Sequence, residues 1–294
     1  MADGTLGFHC TACGKCCNSP PAMSVPELLR HGERFIGSLA VARVRQLAAG
    51  SRIAAGDATE VLDEAQAAEL AELQDALFHR AGPATYSLVA QAFDYPSLDR
   101  CPALATDGQC AVHGPDKPLM CRVVPLDPCL PDSLQHSVLR NRRASDAYLG
   151  ADCISEREHS PYRPLVLQRR VADLDYASDL VRRRASLIEE KRSWGTAVFS
   201  VLAPELARSI QLDASGAGYL VLPLAPVLAV LAAQGDAQRA QCVQYIDRQL
   251  ALIDSAIGAA LARKNPADRP VTTQLRAFAQ AYLRQRPLLA RGLL

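Results

Sequence analysis

The chain has 294 residues, 49% of them hydrophobic, with 32 basic and 31 acidic side chains and a net charge of +1. That length and apolar content can bury a sizeable core without disulfide staples. The balanced charge gives no global field to draw nucleic acid or an anionic membrane, and 5% aromatics are too few for the stacking platforms of a single-strand binder; neither partner is expected.

The opening stretch, residues 1–7, has no basic n-region and no apolar run, so no secretory signal is expected. The ten cysteines are therefore expected as thiols or metal ligands in a reducing, cytoplasmic setting. Residues 1–25 are rich in Gly, Cys and Pro and read as loop. Ser24 then looks like a helix N-cap, with Pro26 in the first turn and Glu27 near the positive end of the dipole. Apolar spacing at Leu28, Leu29, Phe35, Ile36, Leu39, Val44 and Leu47 predicts a helix over 26–50, and a second is expected over 58–79. Residues 82–135 hold many prolines and read as irregular, with short strands over 109–113 and 120–124.

From about residue 171 helix formers dominate, and helices are expected over 171–191, 196–210, 226–233, 237–263 and 272–284. The segment Asn265 to Pro270 is a break between the last two. Residues 216–233 carry no charge and are near the lower limit of about 17 residues for a membrane span. Pro223 and Pro226 interrupt them, so a strand-like segment followed by a core helix is the better reading. The expected fold class is mainly α: an irregular cysteine-rich metal-binding region with a few short strands, residues 1–165, followed by a helical half, residues 166–294.

The chemistry is concentrated in the cysteines. Cys10, Cys13, Cys16 and Cys17 fall within eight residues, and Cys101, Cys110 and Cys121 follow about eighty residues later. Thiolates so close repel one another unless a metal ion or an iron–sulfur cluster neutralises them. The triplet Cys10, Cys13 and Cys16 has ferredoxin-like spacing, and Gly14 permits the tight fold that makes the thiols converge. Cys16 and Cys17 are adjacent; neighbouring residues usually point apart, so they are expected to face different sites, or one to ligate while the other supports.

These motifs together, Phe8-His9-Cys10-Thr11-Ala12-Cys13-Gly14-Lys15-Cys16-Cys17, then Cys101-Pro102-Ala103-Leu104, then Asp107-Gly108-Gln109-Cys110, then Lys117-Pro118-Leu119-Met120-Cys121-Arg122, resemble the YkgJ-like CxxCxxCC cysteine-cluster family, described as zinc- or iron-chelating. The resemblance covers roughly residues 8–155. It implies eight metal-ligating cysteines: Cys10, Cys13, Cys16, Cys17, Cys101, Cys110, Cys121 and an eighth, for which Cys153 fits best and Cys129 competes. The family often has Tyr where His113 stands and Arg where Lys117 stands. His113 could add a nitrogen ligand, with a packed or surface histidine as the default. Lys117 and Arg122 carry charge that could offset thiolates.

An iron–sulfur cluster is slightly favoured over Zn because of the triplet and Cys101-Pro102; spacing alone leaves both open. The expected function is metal or cluster binding in redox chemistry or metal handling. One alternative is a cluster-dependent protein-modifying enzyme similar to flagellin lysine N-methylases, and another is a structural zinc module presenting the helical half to a protein partner. No phosphate loop, dinucleotide fingerprint or nucleophile elbow is present, and no catalytic residue is assigned. Cys242 reads as a buried structural thiol. The run Arg182 to Arg184 reads as a solvated helix face.

Overall fold

The computed structural model describes residues 4–11, 14–17, 20–93, 100–145, 151–156, 160–206 and 218–293. The strands in chain order are β1 (Leu6–Phe8), β2 (Gly37–Val44), β3 (Arg52–Ala55), β4 (Ala58–Val61), β5 (His79–Ala81), β6 (Ala84–Ala92), β7 (Ile154–Ser155), β8 (Arg163–Leu167), β9 (Arg170–Val171) and β10 (Tyr219–Pro223). The helices are α1 (Val25–Arg30), α2 (Glu64–Leu77), α3 (Leu119–Val123), α4 (Gln135–Ala144), α5 (Leu174–Glu190), α6 (Thr196–Leu206), α7 (Ala225–Ala232), α8 (Asp236–Arg263) and α9 (Asp268–Ala290). A π-helical turn, Lys191–Gly195, joins α5 to α6.

The chain divides into two compact units that alternate along the sequence. The first is Met1–Asn18, Gln46–Leu77 and Leu104–Ile188; the second is Ser19–Arg45, Phe78–Ala103 and Glu189–Leu294.

In the first unit, a four-stranded sheet runs β7-β1-β8-β9, and β3 and β4 form a hairpin. The core beside the sheet joins Leu6, Val123, Leu126, Leu139, Ile154, Leu165, Val166 and Leu180, with Phe8, Cys16 and Tyr176 packed on its edge. Polar staples do much of the remaining work. Asn141 of α4 donates to Ala54 O at 2.7 Å and accepts from Gly56 N at 2.7 Å, fixing the hairpin. Glu60 on β4 lies 2.8 Å from His136 Nε2 and 2.7 Å from Arg169 Nη2, and accepts from Ser137 Oγ. Burial alone would raise the Glu60 carboxyl, but the Ser137 hydroxyl, His136, Gln66 and Arg169 hold it below the usual range.

In the second unit, a four-stranded antiparallel sheet runs β10-β2-β6-β5. On α8 and α9, which pack against each other, Tyr245, Ile246, Ile253, Leu275, Phe278 and Tyr282 are buried. Gln249 is fully buried, and its amide accepts from Gly37 N at 2.8 Å and donates to Gly32 O at 2.8 Å and Phe35 O at 3.0 Å. Gly37 is required there, because a Cβ would lie 2.1 Å from Tyr245 Oη.

The expectation of a mainly α fold is corrected by these sheets: two four-stranded antiparallel sheets and a hairpin carry strands from Leu6 to Pro223. The helix expected over 26–50 stops at Arg30, and β2 follows. Within β2, Leu39 and Val41 are completely buried while Ala40 and Ala42 are not, a period of two rather than 3.6. β6 buries Ala84, Tyr86, Leu88, Ala90 and Ala92 at the same period, inside a region read as irregular. The helix expected over 58–79 is a strand, a helix and a second strand. The strand expected over 120–124 is instead the short helix α3, begun at Pro118, and 109–113 contributes only an isolated bridge, Leu104 to Cys110.

Other expectations are met. Ser24 caps α1 in a capping box: its Oγ accepts from Glu27 N at 3.4 Å, and Glu27 Oε2 accepts from Ser24 N at 2.7 Å. The helices expected over 171–191, 226–233, 237–263 and 272–284 correspond to α5, α7, α8 and α9, and that over 196–210 to α6, whose expected last residues, 207–210, lie outside the described ones. The uncharged stretch is β10 followed by α7. Among the described residues, no helix is long and apolar enough to cross a membrane.

Candidate metal centre

The first unit brings the N-terminal cysteine loop to Cys153 by strand pairing. β1 lies between β7 and β8, with Phe8 opposite Ile154. The ladder continues one residue past β1, where His9 N donates to Cys153 O at 2.9 Å. Cys10 therefore leaves the sheet beside Cys153, and Thr11 Oγ1 lies 3.3 Å from Cys153 Sγ. Gly7 permits close pairing with β8, since a Cβ there would sit 3.1 Å from Tyr162 Cβ and 3.2 Å from Arg163 O. Rings flank the exit of the strand: Phe8 meets Tyr176 edge-on at 6.0 Å, and His9 meets Tyr162 at 5.9 Å. Burial, with Asp173 and then Cys10, pushes the Tyr176 phenol up to about 12.

The loop then turns tightly. Gly14 has φ of +74°, and Cys17 N donates to its carbonyl at 2.9 Å, closing a 3-10 turn over Lys15–Cys17. This turn corrects the expectation that Cys16 and Cys17 point apart: their sulfurs are 4.0 Å from each other. Two thiolates on one zinc ion, with Zn–S of about 2.3 Å in a tetrahedron, stand about 3.8 Å apart, so the pair fits a shared ion. Cys16 is packed against the core, and Cys17 is half-buried. The Cys17 thiol is pulled down to about 6, first by the hydrogen bond with Cys16 and, against burial, by the Lys117 charge.

Cys110 and Cys121 are half-buried in the same unit. Cys110 closes a tight turn in which Ala105 N donates to Gln109 O at 2.8 Å, with Gly108 at φ +81°. Cys121 lies on α3, next to Arg122. Arg122 spends its guanidinium on backbone: Nε donates to Lys117 O at 3.1 Å, and Nη2 to Gly114 O and Pro115 O at 3.0 and 2.9 Å. It is a brace for the turn that presents Lys117, whose charge does reach a thiol.

The remaining candidates have other surroundings. Cys101 is buried in the second unit, where its sulfur accepts from Ala103 N at 3.4 Å. Cys129 sits in a loop whose carbonyls are bound by Gln135 and Arg184, and burial with the Asp127 carboxylate pushes its thiol well up. Cys242 is buried on α8, and burial raises its thiol to about 11. His113 is exposed. Cys13 lies outside the described residues. Among the described residues, no three His, Cys, Asp or Glu side chains form a group that could hold an ion. Sequence reasoning missed Thr11 and Tyr176, whose neighbourhood to Cys153 and Cys10 depends on contacts across more than 140 residues of chain. Comparison with family models, with curated proteins and with solved structures gives no match.

Proposed function

We propose that the first unit holds a thiolate-bound metal centre, either a single zinc-like ion or an iron–sulfur cluster, built on Cys10, Cys13, Cys16, Cys17 and Cys153, with Cys110 and Cys121 as flanking ligands. The observation that carries the reading is the folded loop itself: a Gly14 turn sets two sulfurs 4.0 Å apart, and strand pairing lays Cys153 beside the same loop. The Lys117 charge helps to lower the Cys17 thiol, which favours its thiolate form. Iron–sulfur would supply one-electron chemistry; zinc would supply a closed structural site. The chain's own residues set the rest: Gly14 and β1 shape the loop, Lys117 offsets charge, Arg122 holds Lys117 in place, and Phe8 and Tyr176 pack at the strand exit.

The test is metal and acid-labile sulfide content, with a visible spectrum, on protein purified without oxygen. Iron with sulfide makes the centre a cluster; zinc without sulfide makes it a closed thiolate site. Protein free of both, after purification without chelators, contradicts the reading. S-adenosylmethionine binding by the metal-loaded protein would turn the proposal toward the protein-modifying enzyme, and its absence toward a carrier or structural module.

A further inference from the structure

Cys16 and Cys17 stand as thiols on consecutive residues of the 3-10 turn, with their sulfurs 4.0 Å apart. The backbone sets this convergence: Gly14 turns the chain at φ +74°, and Cys17 N donates to Gly14 O at 2.9 Å. Both sulfurs belong to one turn, so neither has to be carried in by another element. A disulfide bond is about 2.05 Å long, and closing the pair therefore asks for about 2 Å of approach. Rotation of the two short side chains supplies movement of that size.

Two opposing effects make such a bond a reversible one. Consecutive Cα atoms stand about 3.8 Å apart across a trans peptide, whereas ordinary disulfides join Cα atoms about 4.4–6.8 Å apart. A bond between neighbours is thus strained, and strained disulfides are the readily reduced, regulatory kind. Proximity acts in the other direction. Once one sulfur has been activated, the second already stands beside it, and ring closure is intramolecular. Both thiols are half-buried rather than fully enclosed, in contrast to Cys153, which is 2% exposed.

We propose that Cys16 and Cys17 form a redox switch, closing to a disulfide between neighbours when small-molecule disulfides outweigh small-molecule thiols. One of the two sulfurs attacks a sulfur of the small disulfide, forming a mixed disulfide as the first small thiol leaves. The neighbouring sulfur then attacks the protein sulfur of that mixed disulfide, and the second small thiol leaves. The protein gives up two electrons and two protons, and the oxidant takes them to become two thiols. The consequence of closure rests on the metal reading: both ligands of a shared ion are removed in one event, so oxidation releases the metal.

Peptide mapping of the wild-type protein tests it. Cleavage after Lys15 and Arg30 isolates residues 16–30, in which Cys16 and Cys17 are the sole cysteines. Protein purified without oxygen, as isolated and after chelation, is incubated with oxidised glutathione, alkylated and digested. In both samples the 16–30 peptide should lack two hydrogens and carry no alkyl label, and dithiothreitol before alkylation should restore both labels. The isolated protein should lose its metal in step with closure. A 16–30 peptide that carries two alkyl labels, glutathione or a second peptide after the treatment overturns the switch, and closure with the metal retained overturns its hold on the centre. Protein isolated without metal contradicts the metal reading instead, and closure of the peptide still decides the switch.

Discussion

The second unit rests on eight- and nine-residue strands and on helices of 28 and 23 residues that bury one another's apolar faces, whereas the first joins helices of 10 to 17 residues to strands of only two to five residues, tight turns and two apolar clusters. Long elements gain stability from area removed from water. Short ones do not, and the first unit compensates with side chains that hold backbone: Arg122 on three carbonyls, Arg184 and Gln135 on the 127–131 loop, Asn141 on the hairpin. The difference teaches where a metal would matter. Ligand binding to thiols that are loop-borne and partly exposed becomes folding free energy for the unit that carries them, while the second unit should stand without it.

The largest effect should come from chelation. Removing metal under reducing conditions is expected to raise amide exchange in residues 6–17 and 104–123, with β2, β6, α8 and α9 unchanged. Equal loss in both units would erase the distinction. Next comes Gln249→Ala, which strands Gly37 N, Gly32 O and Phe35 O in the interior of the second unit. At about 1–3 kcal/mol for each buried group left unsatisfied, a loss of about 3 kcal/mol or more is expected in urea unfolding, with metal content unaltered.

A pH effect of similar kind but smaller size belongs to His79. It is buried and stacked on Phe199 at 4.7 Å, and burial, with the Lys191 charge, lowers its imidazole to about 4. The folded state thus resists a proton that the unfolded chain accepts near pH 6.5. The contribution is fully present above that pH and is lost as pH falls from about 6.5 toward 4, on the order of 2–3 kcal/mol in total. Unfolding free energies measured over that range should slope for wild type and flatten in His79→Phe. Smallest is Ser24→Ala, which removes one side of the capping box and should cost about 1 kcal/mol in the same assay; a value near zero would mean that tertiary packing alone holds α1.

Local signals were legible in the sequence where local physics decides the structure. The Ser24 cap, the Pro223 and Pro226 interruption, the helices after residue 171 and the tight turn at Gly14 all depend on near neighbours. The sheets were not, because β2 and β6 are rich in Ala, Leu and Val, whose order fits either period until the partner strand is known. The same limit applies to the candidate centre. The cysteine spacing was plain, but the approach of Cys153 to the cysteine loop depends on β1 pairing with β7 across more than 140 residues, and the closeness of the Cys16 and Cys17 sulfurs turns on a 3-10 turn that the residue order alone does not specify. The basic run misled because two of its charges point inward, Arg183 fully and Arg184 onto a loop.

The most direct measurement is the metal content of two single variants, Cys153→Ser and Cys129→Ser, purified without oxygen beside wild type. Strand pairing that lays Cys153 against the cysteine loop predicts that Cys153→Ser loses most of its metal while Cys129→Ser keeps it. Full metal in Cys153→Ser together with loss in Cys129→Ser would contradict the account.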